Sequence, residues 1–488
     1  MAFQFSKSNL PKQLFINNRY VDSKHYEKLQ LYNPKDGSLV ADDVPLAADQ
    51  DVDLAVAAAE AAFPQWKITT PSARRDMMLK LANLIVEHGA ALAELTRITL
   101  GAPMHVFGEW EIRRTAEAFR YFAGWTDKIS GQSFSNEDGF VNIVINEPLG
   151  VTAGITPWNV PLLTVGLKAG PALATGNCFI LKPSEKTPFA CLALGALICE
   201  AGFPAGVFQV LSGNGLTGSL LASHMRIRKI SFTGSIATGK KIQEAAAKSN
   251  LKRITLELGG KSPAVIFDDC NLANAIRWTS QAITTISGQS CFAATRLYVQ
   301  EGIADRFISG YREAILEITR NIGDPDSTST QMGPLVDSSQ HKRVVGFIDL
   351  GKNTHGGLLT GGQRLGDKGF FVEPAIFLDV PEDAHIMREE IFGPVVIINT
   401  FKTEAEVMQK ANDSEFGLMA GVFSQDINRA LRCASNFESG MVGINCVSLM
   451  FLTAPLGGMK QSGQGRECGE AGWRSFVEPK TIMINMSY

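Results

Sequence analysis

From about residue 150 to residue 258 the chain alternates short, unbroken apolar runs with longer stretches of helical period: VTAGI, a helix after Pro161, CFILK, a helix from about residue 187, VFQVL, another helix, KISF, another helix, and RITLEL. A run without alternation has no polar face to offer water, so each such strand is buried on both sides. Strands separated by helices must cross over and lie parallel, which predicts a sheet built from βαβ units. A second series starts at PAVIF and continues through RLYVQ, a helix from about residue 302, FFVEPAIF, VVIINTF and GVFS. Two consecutive α/β domains are the economical reading.

The stretch before them, up to about residue 130, reads mainly as helices. Thr70 is placed to cap one and Pro71 suits its first turn, while Met77, Met78, Leu81, Leu84, Ile85 and Leu92 form an apolar stripe at helical spacing. GFVNIVINEPLG, residues 139 to 150, has period two instead, as an exposed strand or hairpin does. A lone hairpin is marginal in water, so this one is a candidate for a subunit interface.

With 488 residues the chain can bury large cores and needs no disulfide or metal staple to fold. Lys plus Arg number 46 against 49 Asp plus Glu, a net charge of -3, and no basic block tracks a phosphate backbone. Nucleic acid is therefore not an expected partner. The eight cysteines include no C-x-x-C pair, which argues against a metal site and against a secreted disulfide framework. The N-terminal sequence lacks a signal-like apolar run, and no uninterrupted apolar stretch reaches the ~18 residues of a membrane span. The expectation is a cytoplasmic protein with no membrane partner.

Four stretches carry residues capable of chemistry. FTGSIATG (232 to 239) follows an apolar run and opens a helix, so backbone N–H groups around Gly234, Ser235 and Gly239 could face an anion, or the glycines could serve turn geometry alone. KPSE (182 to 185) ends the run CFILK, where ligands of open α/β sheets gather; Lys182 and Glu185 could meet ribose hydroxyls or form a surface ion pair. ELGGKSP (257 to 263) sets Glu257 at a strand end, followed by two glycines that permit close backbone approach. In ISGQSC, Cys291 follows Gly288, Gln289 and Ser290, small and polar neighbours that would open it to a ligand, whereas Cys191 and Cys199 sit in apolar helical settings typical of inert core thiols. A Cys–His hydrolase finds no support in the seven histidines, none of which lies in a partner motif.

In chain order, TPWNVP, KPSE, FTGS, ELGGKSP, GQSC, EEIFGPV, FGLMAGVFS and PLGGMKQSGQGRE resemble the aldehyde dehydrogenase superfamily over almost the whole chain. The resemblance implies a Rossmann-like cofactor domain (1–129 and 148–258), an α/β catalytic domain (259–470) and a small β oligomerisation element (130–147 and 471–488). It implies a homodimer or homotetramer. By the same resemblance Cys291 is the nucleophile that forms a thiohemiacetal and then a thioester, as an aldehyde, which has no leaving group but a hydride, requires. Asn159, with the Cys291 backbone N–H, would hold the oxyanion, and Glu257 would activate the hydrolytic water. A glutamate there favours hydrolysis over acyl transfer to coenzyme A.

The cofactor implied is NAD. Lys182 and Glu185 resemble the adenosine-ribose pair, Gly234 and Ser235 would face the pyrophosphate, and Glu390 with Phe392 would frame the nicotinamide ribose. Ile155, Thr156, Trp158, Ser184, Gly215, Thr233 and Leu258 complete the expected lining. Glu185 against a 2′-phosphate would place like charges in contact, which disfavours NADP. For the aldehyde, Val160 and Leu456 stand where many relatives have aromatics, and Leu167, Phe292, Met450 and Phe451 add to an apolar wall. No Lys or Arg is evident among these positions, so a medium to large hydrophobic aldehyde is expected. The alternative is a structural or binding protein that keeps this fold without chemistry.

Overall fold

A computed structural model describes residues 3–354 and 357–487. Its first large sheet has eight strands, in the order Arg19–Val21, Leu14–Ile16, Phe208–Val210, Cys178–Lys182, Val151–Ile155, Lys229–Thr233, Arg253–Glu257 and Gly463–Gln464. The strands from Phe208–Val210 to Arg253–Glu257 are parallel, and antiparallel strands close both edges. Every residue of VTAGI and CFILK is buried, as continuous apolar runs require.

The second sheet has seven strands, ordered Leu358–Thr360, Ala375–Leu378, Val395–Phe401, Ala294–Gln300, Ser262–Ile266, Met419–Phe423 and Met441–Ile444. All are parallel except the first. FFVEPAIF does not make one strand. Phe371–Val372 pairs with Arg364–Leu365 in a separate ribbon, and only Ala375–Leu378 enters the large sheet. Pro374, which lacks an N–H for the ladder, marks the break.

The N-terminal region is mainly helical as expected, but strands precede the helices. Leu14–Ile16 and Arg19–Val21 form a hairpin that extends the first sheet, and Lys28–Tyr32 pairs with Leu39–Pro45. The tight turn at Asn17 and Asn18, with φ of 53° and 58°, is the kind two asparagines favour. Helices begin at Asp49–Ile68. Thr70 caps Pro71–Glu87 by accepting the Ala73 N–H at 3.3 Å, but the apolar stripe breaks at His88, so Leu92 belongs to the next helix, Gly89–Leu100. Val477–Asn485 lies antiparallel to Phe140–Pro148 along its full length, with Gln132–Ser133 on the far side.

The carboxyl ends of the first sheet form one row. Ile155 is in register with Lys182, and Thr233 with Glu257. The chain then crosses from Glu257 to Ser262, the start of the second sheet, so this row faces the cleft between the sheets, where ligands of open α/β sheets bind.

Candidate active site

The loop carrying Cys291 is wound tightly. After the helix Leu272–Thr284, Ile286, Ser287 and Gly288 have φ of 51°, 56° and 70°, three consecutive left-handed residues. Such strain persists only where the surroundings over-determine it. Here Ser287 Oγ donates to the Gly333 carbonyl at 2.7 Å, Gln289 Nε2 donates to the Ile286 carbonyl at 2.9 Å, and Gln289 Oε1 accepts the Val336 N–H at 2.9 Å. Residue 288 has no room for a side chain, because a Cβ there would lie 2.6 Å from Pro394 N.

Asn159 approaches from the first sheet and donates its side-chain amide to the Gln289 carbonyl at 2.8 Å. The helix that follows it, Pro161–Ala174, is capped by a side chain remote in sequence. Glu111 is buried, and its Oε1 accepts the N–H of Leu162 at 2.9 Å and of Leu163 at 3.4 Å. The two glycines of ELGG work by close approach. A Cβ on Gly260 would collide with the Cys291 carbonyl and one on Gly259 with the Glu390 carboxylate, while Gly260 N–H donates to Glu390 Oε1 at 2.9 Å.

The electrostatics are those of an acid-rich pocket. Burial pushes the Cys291 thiol up, the charges of Glu390 and Glu257 add to this, and the backbone N–H groups of Cys291 and Phe292 oppose it. Glu390 is pushed up to about 7 by burial, against the Gly260 N–H, Lys261 and Arg343. Glu257 is raised well above the usual carboxylate range, first by burial and then by Glu467, with Lys168 and Arg466 pulling the other way. Neither Glu257 oxygen finds a hydrogen-bond partner among the described residues. A buried carboxyl whose oxygens are not used by other side chains can take a proton from a water held against it.

Two cavities flank this centre. One, of about 1380 Å³, lies over the strand ends, and each residue assigned above to the cofactor lines it, from Ile155 and Lys182 to Glu390 and Phe392. The residues fit a dinucleotide. The buried hydroxyls of Thr156 and Thr233 have no partner among the described residues, and Lys182, its ammonium disfavoured by burial, is 3.4 Å from a half-exposed Glu185. Ser235 caps the helix Ile236–Lys248, whose N-terminus suits an anion. Gly239 has a different role from the one its motif suggested, since a Cβ there would press on Leu258 at 2.8 Å.

The other cavity, of about 520 Å³, is lined by Val160, Leu167, Phe292, Met450, Phe451 and Leu456. Among the described residues, Pro157, Asn159, Thr233, Glu257, Leu258 and Cys291 alone line both cavities. Sequence reasoning missed one wall of the second. Phe107, Trp110 and Arg114 come from the turn before, and the body of, the helix Glu109–Ala123, and Arg113 joins them. Basic residues do therefore line this cavity, contrary to the expectation. The spacing 107, 110, 114 is a helical stripe, a signal legible in the sequence, but it lies far in the chain from every motif.

Comparison with known proteins agrees with this architecture. The sequence profile of the Aldehyde dehydrogenase family matches residues 20–482. An aldehyde dehydrogenase of Agaricus bisporus is 42% identical over 478 residues, 97% of this chain and 95% of that protein. Retinal dehydrogenase 2 of Homo sapiens is 42% identical over 479 residues, 97% of this chain and 92% of that protein. PnpE from Pseudomonas sp. WBC-3 has a TM-score of 0.94 at 40% identity over 97% of this chain and 98% of that one. A PnpE complex with nicotinamide adenine dinucleotide superposes at 0.95. The fold and cleft are thus those of a dinucleotide-linked oxidoreductase. The chain belongs to the aldehyde dehydrogenase family, and its reaction is the NAD(P)-dependent oxidation of an aldehyde to a carboxylic acid.

Proposed function

We propose that the protein uses Cys291 to oxidise a medium to large aldehyde with an apolar body, with NAD as the preferred acceptor. The observation that carries this is the meeting of the two cavities at Cys291, Asn159 and Glu257. Cys291 Sγ attacks the carbonyl carbon as thiolate, and the carbonyl oxygen takes up negative charge. The Asn159 amide and the Cys291 N–H donate to that oxygen. Lys182 and Glu185 would hold the adenosine ribose, Gly234 and Ser235 the pyrophosphate, and Glu390 and Phe392 the nicotinamide ribose. Bound there, NAD supplies a hydride acceptor. The acyl group is left on Cys291 as a thioester, and Glu257 takes a proton from the water that cleaves it, releasing the acid and restoring the thiol.

The apolar tunnel supports the substrate reading. Val160, Leu167, Phe292, Met450 and Leu456 pack with Leu163 and Leu452 in one cluster, and a relative named retinal dehydrogenase 2 is consistent with a large apolar aldehyde. The preference for NAD rests on Glu185, whose charge would oppose a 2′-phosphate. Self-association through the sheet of Val477–Asn485 and Phe140–Pro148 is supported by its exposed Phe140, Ile145, Met483 and Ile484. Eight free thiols accord with a reducing, cytoplasmic setting.

The test is NADH formation from acetaldehyde, hexanal, decanal and betaine aldehyde, with NAD and with NADP, in wild type and Cys291→Ala. Wild type should favour the longer aldehydes and NAD, and Cys291→Ala should bind NAD yet form no NADH. A maximum at acetaldehyde or betaine aldehyde, or a working Cys291→Ala, overturns the reading.

A further inference from the structure

We infer that Arg114 reads the far end of the substrate, and that the preferred aldehyde is an ω-oxo carboxylic acid: an aldehyde, an apolar spacer and a terminal carboxylate. This rests on the aldehyde-oxidising reading above and narrows it. The tunnel has a direction. Its inner end is the buried Asn159 and Glu257 beside Cys291, and its outer rim includes the exposed Val106, Arg113, Leu449 and Phe451. Charge follows the same direction. The acidic groups lining it, Glu257 and Glu467, are both buried, whereas Arg113 is exposed and the Arg114 side chain is 19% exposed.

Arg114 is only partly engaged by the protein. Its Nη1 pairs with Glu117 at 2.8 Å, its Nη2 reaches the Met450 carbonyl at 3.4 Å, and its Nε donates to no described residue. Arg113 shares the same Glu117, at 3.4 Å. One carboxylate thus serves two guanidinium groups, and among the described residues no Asp or Glu other than the inner Glu257 and Glu467 lines the cavity. Met450, which receives Arg114, is itself part of the apolar tunnel wall. A guanidinium with spare donors, held against an apolar wall in a cavity, matches a carboxylate in both charge and planar shape. The inner end, with Asn159, Glu257 and Cys291, offers no cationic side chain among the described lining residues, and both arginines of the lining lie on the helix Glu109–Ala123, so a carboxylate is received at the end of the molecule opposite the carbonyl. The product is then a dicarboxylic acid.

The experiment compares ω-oxo acids with simple aldehydes of equal length, 8-oxooctanoate with octanal and 10-oxodecanoate with decanal, by kcat and KM at low and high salt. In wild type the oxo acid should have the higher kcat/KM by about tenfold or more, carried by KM and eroded by salt, as a charge-assisted contact is. Arg114→Met should raise KM for the oxo acid and lower it for octanal, reversing the preference. Glu117→Gln, which frees Arg114 from its internal partner, should strengthen it. Equal or better use of octanal and decanal by wild type, or an equal loss on both substrates in Arg114→Met, overturns this inference while leaving aldehyde oxidation intact. No NADH from any of the aldehydes overturns both.

Discussion

Lys168 and Glu467 form a salt bridge of 2.5 Å with side chains 0% and 5% exposed, and Ser231 donates to the same carboxylate oxygen at 2.7 Å. The pair acts on Glu257 from both sides, since the charge of Glu467 raises its pKa and that of Lys168 lowers it. A base with a raised pKa loses activity as pH falls through that value, so the acidic limb of the hydrolysis rate should lie above the ordinary carboxylate range. Glu467→Gln removes the repulsion and leaves Lys168 unopposed, which should move the limb to lower pH. Lys168→Met should move it upward and, by leaving a buried carboxylate unpaired, cost about 3–5 kcal/mol of stability. Steady-state pH–rate profiles and thermal melts check both, and an unmoved limb in both variants would remove Glu257 from the titration.

Glu257→Gln separates the two halves of the reaction. Hydride leaves before water is needed, so the variant should give one burst of NADH per site and then stall with the acyl group on Cys291. Stopped-flow absorbance and intact mass read the burst and the adduct. A normal steady-state rate would mean that another group activates water.

Asn159→Ala should slow the chemical step by about 10²–10³, the usual effect of losing one preorganised oxyanion donor. NAD binding should change little. Because a later step can limit turnover, the decisive measurement is the single-turnover rate of NADH appearance, and a wild-type rate there would refute the role.

Glu111 gives a prediction for stability. Burial pushes its carboxyl up to about 8, against the N–H groups of Leu162 and Leu163. A raised folded-state pKa means that stability is fully present below the ordinary carboxylate value and is lost as pH rises through about 8. Glu111→Gln cannot ionise, so its Tm relative to wild type should improve between pH 6 and pH 9. Glu111→Ala leaves two buried N–H groups unpaired and should cost about 1–3 kcal/mol. A Tm difference independent of pH would show that Glu111 does not titrate in this range.

The parallel strands and the strand-end motifs were legible because both are local: a continuous apolar run forces burial on two faces, and Lys182, Glu257 and Thr233 follow such runs directly. The N-terminal strands were not, since three residues such as Leu14–Ile16 carry no periodicity and gain their place only by pairing with Phe208–Val210. Arg114 was missed for a related reason. Its position on a helix was readable, but that this helix walls the tunnel depends on its packing against Pro161–Ala174. The left-handed turn at Ile286 and Ser287 runs against local preference altogether, and distant partners such as Gly333 and Val336 hold it there.

The edge of the first sheet bears on how the protein is made. Glu257 ends the strand Arg253–Glu257, whose outer neighbour, Gly463–Gln464, is translated only after the entire second sheet. Until then the nascent chain already contains Asn159, Glu257 and Cys291, yet the strand that ends at Glu257 has unpaired N–H and C=O groups along its open side. Glu467, whose charge raises the pKa of Glu257, arrives in the same late segment, followed by the strand that covers Phe140–Pro148. Ribosomal stalling or proteolytic clipping ahead of Gly463 would therefore leave a chain with Asn159, Glu257 and Cys291 in place and an adhesive sheet edge, prone to clumping with its own copies and dependent on chaperones until its last segment emerges.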